Sequence, residues 1–251
     1  MLGLEVWVLV AAAAVFVLGG YVKGAIGFAL PLIAVSGSAT LVDAQTAVGM
    51  IVLPVLLSNL VQAFRQGVAA LLVTARRFWP GIAVMMVVIL ASAQLLTLLS
   101  DRVFFLTLGV GAGLFAVLQL AGWRPVIQAA RERVWGLGVG LIAGFYGGLS
   151  GIWGPPYVLY ITALRLPPKD QVRATGLCFL CGSLMFAPSH VVTGVLNERT
   201  ALLSALMVPA TLLGQYFGQR TQDRLDANLF RRITLIVLLL SSINLIRRGL
   251  F

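Results

Sequence analysis

The chain has 251 residues, of which 60% are apolar and only 10% charged, and its mean hydropathy is +1.00. A soluble domain carries about a quarter charged residues, so a water-soluble catalytic or nucleic-acid-binding module is excluded and nearly all of the polypeptide lies in lipid. The net charge of +10 reads as the cytoplasmic excess of Lys and Arg that orients membrane proteins, and no nucleic-acid partner is implied.

In chain order, apolar runs lie near 4–20, 24–37, 44–64, 78–99 and 103–121, then near 134–148, 151–163, 172–195, 200–217 and 229–246. Each half has the same order: a glycine-rich pair, then three long runs. A full crossing takes about 20 residues, which the long runs supply. The runs at 24–37 and 151–163 are too short and read as returning arms of hairpins that reach partway into the membrane. The first run lacks a basic leader and carries Glu5. It reads as a retained helix, not a cleaved signal. The polar stretch from Trp123 to Arg133 is too short to fold alone.

The halves also match residue by residue. Gly20, Gly24 and Gly27 fall on Gly147, Gly151 and Gly154 at a shift of 127 (147 − 20). Asp43, Ala47 and Gly49 fall on Asp170, Ala174 and Gly176, and Gly67 on Gly194, at the same shift. Val103-Phe104 matches Leu229-Phe230 at 126. Collinear matches of this kind indicate duplication. The basic groups Arg65/Arg76/Arg77, Arg124/Arg131/Arg133, Arg165/Lys169/Arg173 and Arg220/Arg224/Arg231/Arg232 share one side only if each half makes an odd number of passes, which inverts the second half. Arg247 and Arg248 dissent. The expected fold is an all-α membrane protein of two inverted repeats. They cover 1–125, with its hairpin at 4–37, and 126–251, with its hairpin at 134–163. Each is a broken or re-entrant helical hairpin followed by three transmembrane helices.

Interrupted apolar segments in matching places point to a transporter's substrate site. In the inverted arrangement the tips, near Lys23-Gly24 and Ser150-Gly151, meet near the midplane with Gly27, Phe28, Gly154 and Pro155 beside them. The arms starting at Gly24 and Gly151 direct helix N-termini, with their free N–H groups, at the shared site, which favours an anion. A lysine at the bilayer centre costs about 2.5–3.5 kcal/mol. A unit anion about 4 Å away returns about 4 kcal/mol at an effective dielectric near 20. Lys23 is therefore the leading ligand. The alternative is two full crossings with Lys23 in a cytoplasmic turn, serving orientation.

Other residues admit two readings each. Arg173 either guides anions inward or adds to the positive side. Asn59, Thr175 and Ser183, polar within crossings, either tie helices together or line a pathway. Asp43 and Asp170 read as N-caps. His190 reads as interfacial, and Trp153, Tyr157 and Tyr160 as cavity wall or core. Cys178 and Cys181 lie in an apolar run without a neighbouring His, which fits packing and no disulfide. One histidine, no HExxH and no GxSxG argue against an enzyme, and no metal or cofactor is expected.

The motif Gly-x-x-Lys-Gly-x-x-Gly-Phe-x-x-Pro-Leu at 20–32, echoed as Gly-x-x-Ser-Gly-x-x-Gly-Pro-Pro at 147–156, resembles the TauE/SafE sulfite-exporter family of bacterial membrane proteins. The resemblance extends over essentially the whole chain. It implies a multi-pass protein of the inner membrane that moves sulfite, organosulfonates such as sulfoacetate, or related small anions. Family members often have a third consecutive glycine where this chain has Phe28-Ala29 and Pro155-Pro156. A passive anion channel and a non-transporting membrane assembly or maturation factor are the competing functions. No carboxylate sits clearly mid-membrane, so coupling to protons stays open, as does homo-oligomerisation.

Overall fold

The computed structural model describes residues 4–64, 67–123, 125–222 and 227–251. Arg65, Arg124 and Arg224 lie outside them, as do the side chains of Lys169 and Arg231. The described residues form ten α-helices and no strand. They are α1 (Val6–Ile26), α2 (Leu30–Ser38), α3 (Ala44–Phe64), α4 (Val68–Ala93), α5 (Asp101–Leu120), α6 (Glu132–Ser150), α7 (Gly154–Ala163), α8 (Pro168–Val192), α9 (Glu198–Gln222) and α10 (Ala227–Leu250). Six segments, in α1, α3, α4, α5, α8 and α9, are long and apolar enough to cross a bilayer. This is a multi-pass all-α membrane protein.

Two short helices interrupt that pattern. α1 ends where Gly27 takes a left-handed conformation (φ 87°), and its amide donates to the Lys23 carbonyl at 2.7 Å. α6 ends in the same way at Gly151 (φ 72°), whose amide donates to the Gly147 carbonyl at 2.7 Å. Glycine is the residue that takes this cap without steric cost. The chain then reverses into α2 and α7, which have only 9 and 10 residues.

The turn positions differ from those read in the sequence. Lys23 and Gly24 do not form the first tip; they lie in the last two turns of α1, and the tip is Gly27–Ala29. The returning arms start at Leu30 and Gly154, not at Gly24 and Gly151. The two left-handed caps are 124 residues apart (151 − 27), not 127. Gly20 and Gly24 have another use. A side chain at either would overlap backbone of α9, at Thr211 and Gln215 respectively. They permit close helix packing, as small residues do in membranes.

The same glycine logic fixes how the helices pair. α1 runs along α9 in the same direction, since Gly20 meets Thr211 and Gly24 meets Gln215. α6 runs along α4 in the same direction, since Gly140 meets Gly81 and Gly148 meets Ile89 and Ser92. α5 and α10 are antiparallel, with Gly109 against Ile246 and Gly249 against Arg102. α3 and α8 are antiparallel too, with Ala63 against Gly176 and Asn59 bonded to Phe179. Arg247 and Arg248 therefore sit by the N-terminus of α5, at the end of the bundle opposite Arg76 and Arg133.

α4, α8 and α10 run further than the apolar stretches, reaching Val68, Pro168 and Leu250. Long cationic side chains at helix ends reach water while their stems stay with the helix. Inside, Pro54 interrupts α3. It lacks the amide that would bond the Met50 carbonyl; the Ser204 hydroxyl of α9 donates there instead at 3.0 Å.

Candidate functional site

Lys23 projects from the last turns of α1 into the protein and is only 3% exposed. Its ammonium donates to Asn59 Oδ1 on α3 and stands 5.8 Å from the centre of the Phe179 ring on α8. Asn59 is fixed from its other end, where Nδ2 donates to the Phe179 carbonyl at 3.1 Å. No described carboxylate forms an ion pair with Lys23. Among the described residues its charge is met by an amide dipole and a ring face, which solvate it partially.

Two cavities share this lysine. The smaller, about 20 Å³, lies at the tips and is lined by Phe28, Ala29, Asn59, Gly151, Gly154 and Pro155 among others. The tips touch there: a side chain on Gly154 would come 3.3 Å from the Phe28 Cβ. The larger, about 200 Å³, extends from Lys23, Gly24 and Gly27 past Thr175 toward the ends of α8 and α9. Among the described residues its polar wall consists of Gln62, Gln171, Gln215 and Gln219 with Thr162 and Thr175, with no carboxylate. The Oε1 atoms of Gln62 and Gln215 are buried without a partner, while Gln215 Nε2 donates to the Ser58 carbonyl at 3.1 Å.

The structure thus brings together Lys23, Gly24, Gly27, Phe28, Asn59, Gly151, Gly154, Pro155 and Thr175. Ser150 and Arg173 line neither cavity. Ser150 is fully buried and donates to the Tyr146 carbonyl at 2.9 Å, satisfying itself within α6. Arg173 is held by Asp170 one turn earlier, at 3.2 Å. Asp170 is consequently no N-cap; it lies inside the first turn of α8, and Pro167 precedes the helix. Asp43 does cap α3, accepting from the Thr46 amide at 2.9 Å and hydroxyl at 2.7 Å. His190 lies in the last turn of α8 and is fully buried in the protein, with its ring against Phe186 at 4.3 Å between centroids. Ser183 donates to the Leu180 carbonyl within its own helix at 2.9 Å.

The glutamines were the missed residues. Gln62 and Gln215 sit in long apolar runs, where an amide is costly without a partner; that cost was the available signal. The helix ends at the tips are also unequal. Pro155 and Pro156 occupy the first turn of α7 and supply no amide, whereas α2 has only Pro31 there. Free N–H groups thus face the site mainly from α2.

A family model described as sulfite exporter TauE/SafE matches residues 12–245. Among curated proteins, the probable membrane transporter protein YunE of Bacillus subtilis (strain 168) is 30% identical over 143 residues. That match takes in 55% of this chain and 50% of YunE, so the chain spans about half the length of this relative. No solved structure matches. With a transporter-family model, and not an enzyme-family one, covering nearly its full length, the chain belongs to the sulfite exporter TauE/SafE family.

Proposed function

We propose that this protein carries small sulfur-containing anions, such as sulfite or an organosulfonate, across the inner membrane by alternating access at the paired tips. The observation that carries this is Lys23: buried, and, among the described residues, without a carboxylate partner and set between two cavities with no acidic side chain in their walls. An unpaired lysine in the membrane costs about 2.5–3.5 kcal/mol. An anion about 4 Å from it returns roughly 4 kcal/mol at an effective dielectric near 20. The two nearly balance, so the anion binds without being trapped. Gln62 can turn its amide N–H donors toward oxyanion oxygens, Gln171 and Gln215 each keep one N–H beyond the bond they make to the Leu166 and Ser58 carbonyls, and the α2 N-terminus adds a positive dipole end.

Packing supports the two-repeat reading, with units 1–125 and 126–251. α1 lies on α9 as α6 lies on α4, while α5 pairs with α10 and α3 with α8, both antiparallel. An exchange of partners with counterparts running oppositely is what an inverted duplication gives. The wider cavity runs toward the N-terminal end of α8 and the C-terminal end of α9, at Gln171 and Gln219, the end of the bundle where the positive-inside pattern puts the cytoplasm.

The test is flux into proteoliposomes with labelled sulfite, sulfate, sulfoacetate and taurine. Saturable sulfite or sulfonate flux is expected, with at least a roughly 100-fold loss in Lys23→Met at unchanged gel-filtration behaviour. Unchanged flux in Lys23→Met overturns the site, and conductance without saturation overturns the carrier in favour of a channel.

A further inference from the structure

We propose that an anionic phospholipid binds in a cleft between α5, α6 and α7, with its headgroup over Arg76 and Arg133 and one acyl chain against the second hairpin. The cleft has a volume of about 350 Å³ and an almost wholly apolar wall. Leu114 and Ile142 on its sides are more than half exposed, so it opens toward lipid rather than into the bundle. Along α5 it runs from Leu118 to Leu108. Ten residues of helix rise about 15 Å, which is half of the roughly 30 Å hydrocarbon core. A cleft that starts at the interface and stops at the midplane has the length of one acyl chain in one leaflet.

Its outer end is marked as interfacial. Trp123 and Trp135 line it there, and Trp79 lies exposed on the adjoining turn of α4. Exposed tryptophans gather at headgroup level. A second cavity of about 400 Å³ begins beside the cleft, and Tyr160 lines both. Its wall holds Arg76, Arg77 and Arg133 with Glu132 as the one acidic residue. Arg77 is committed to Glu132 in a two-pronged pair at 2.7 and 2.8 Å. Arg76 and Arg133 have no carboxylate partner among the described residues. Two guanidinium groups without a carboxylate partner among the described residues, in the cavity that shares the Tyr160 ring with an acyl-sized cleft, complement a phosphate whose headgroup adds no positive charge. A zwitterionic lipid would bring its own cation into this basic pocket.

The inner end of the cleft gives the lipid a role. Ile152 and Pro155 form part of the wall of both the cleft and the small cavity at Lys23. An acyl chain there braces the second hairpin from behind, opposite the face that looks at Lys23.

The experiment uses delipidated full-length protein in detergent, supplied with phosphatidylglycerol or phosphatidylcholine and followed by native mass spectrometry and thermal unfolding. Wild type is expected to retain one phosphatidylglycerol at least 10-fold more often than phosphatidylcholine and to melt several degrees higher with it. Arg76→Gln/Arg133→Gln, at exposed positions, is expected to fold and lose that preference. Leu114→Trp, which narrows the cleft, is expected to lose retention of both lipids. Arg247→Gln/Arg248→Gln, at the other end of the bundle, is expected to behave as wild type. Equal retention of the two lipids by wild type overturns the proposal. So does an undiminished preference in the Arg76/Arg133 variant. Efficient disulfide cross-linking of two copies through Leu114→Cys also overturns it, because a second copy then covers the cleft.

Discussion

α1 brings Lys23 to within four residues of its cap and turns through Gly27, Phe28 and Ala29, whereas α6 has Gly147 at that distance and turns through Gly151, Ile152 and Trp153. At the last tip position the backbones diverge as well. Ala29 is left-handed (φ 82°), while Trp153 has an ordinary φ of −88°. Trp153 folds back over its glycine: a side chain on Gly147 would come 2.9 Å from the indole. The indole is 2% exposed and meets Phe186 edge-on at 5.6 Å. One backbone plan therefore holds a cation in the first hairpin and an apolar plug in the second.

The largest expected effect strikes the feature that the hairpins share. Gly24 and Gly148 each abut a neighbouring helix backbone, at Gln215 and at Ile89 with Ala93. Gly24→Val and Gly148→Val are both expected to abolish the monodisperse gel-filtration peak, because backbone cannot move aside as a side-chain tip can. If one variant folds normally, the two hairpins do not depend on the same packing.

Trp153→Ala comes next and separates the hairpins. Emptying a buried indole costs about 3–5 kcal/mol, and the melting temperature is expected to fall accordingly. Removing the plug also joins space behind the second tip to the small cavity at Lys23, so uncoupled leak of anions is the expected functional change. Phe28→Ala, at a half-buried position on the opposing tip, is expected to cost less. A reversed ranking would assign the plug to the wrong hairpin.

Asn59→Asp tests the cation. A carboxylate beside Lys23 would satisfy it internally. A competing pair of that kind is worth about 4 kcal/mol at 4 Å and an effective dielectric near 20; binding of sulfite or sulfonate is expected to weaken by roughly 100-fold or more. Asn59→Ala, which removes an acceptor without adding charge, is expected to weaken it far less. Thermal-shift titrations read both, since a ligand of the folded state stabilises it in proportion to RT ln(1 + [L]/Kd).

These contrasts also explain what the sequence made legible. Membrane class, the all-α fold and the paired hairpins follow from hydropathy and glycine content. The turn positions did not follow. Gly20, Gly24 and Gly27 are alike as letters, yet Gly20 and Gly24 serve contacts with α9 and only Gly27 adopts positive φ. Whether a glycine turns or packs depends on a partner helix nearly 200 residues away. The polar wall was hidden for a related reason. Gln62, Gln171 and Gln215 come from three helices and converge only when α3, α8 and α9 pack. Ser150 and Arg173 stand apart from both cavities and find their partners within their own helices.

A smaller effect belongs to Ala29. A non-glycine residue in the left-handed region is uncommon and strained, at a cost of about 1–3 kcal/mol. Ala29→Gly is expected to relieve part of it and to raise or hold the melting temperature, whereas glycine at Trp153, already relaxed, can only destabilise.

The smallest effect compares the helices that follow the hairpins. Asp43 caps α3, while Asp170 lies within α8 and pairs with Arg173. Partial burial by itself would raise the Asp43 carboxyl, but hydrogen bonds from the Thr46 hydroxyl and amide, with the charge of Arg199, outweigh it and hold the group below its ordinary value of 3.8. A carboxyl depressed in the folded state stabilises above its unfolded value, and that contribution is lost as the pH falls through the folded one. Between pH 5 and pH 8 this group therefore adds no slope to stability, and below about pH 4 it adds one. Asp43→Asn keeps an N-cap oxygen and removes the charge. Thermal unfolding from pH 3 to pH 6 is expected to give wild type a steeper acid limb than this variant, with the two curves running parallel above pH 5. Parallel curves across the whole range would mean that Asp43 caps α3 without any preference for its ionised form.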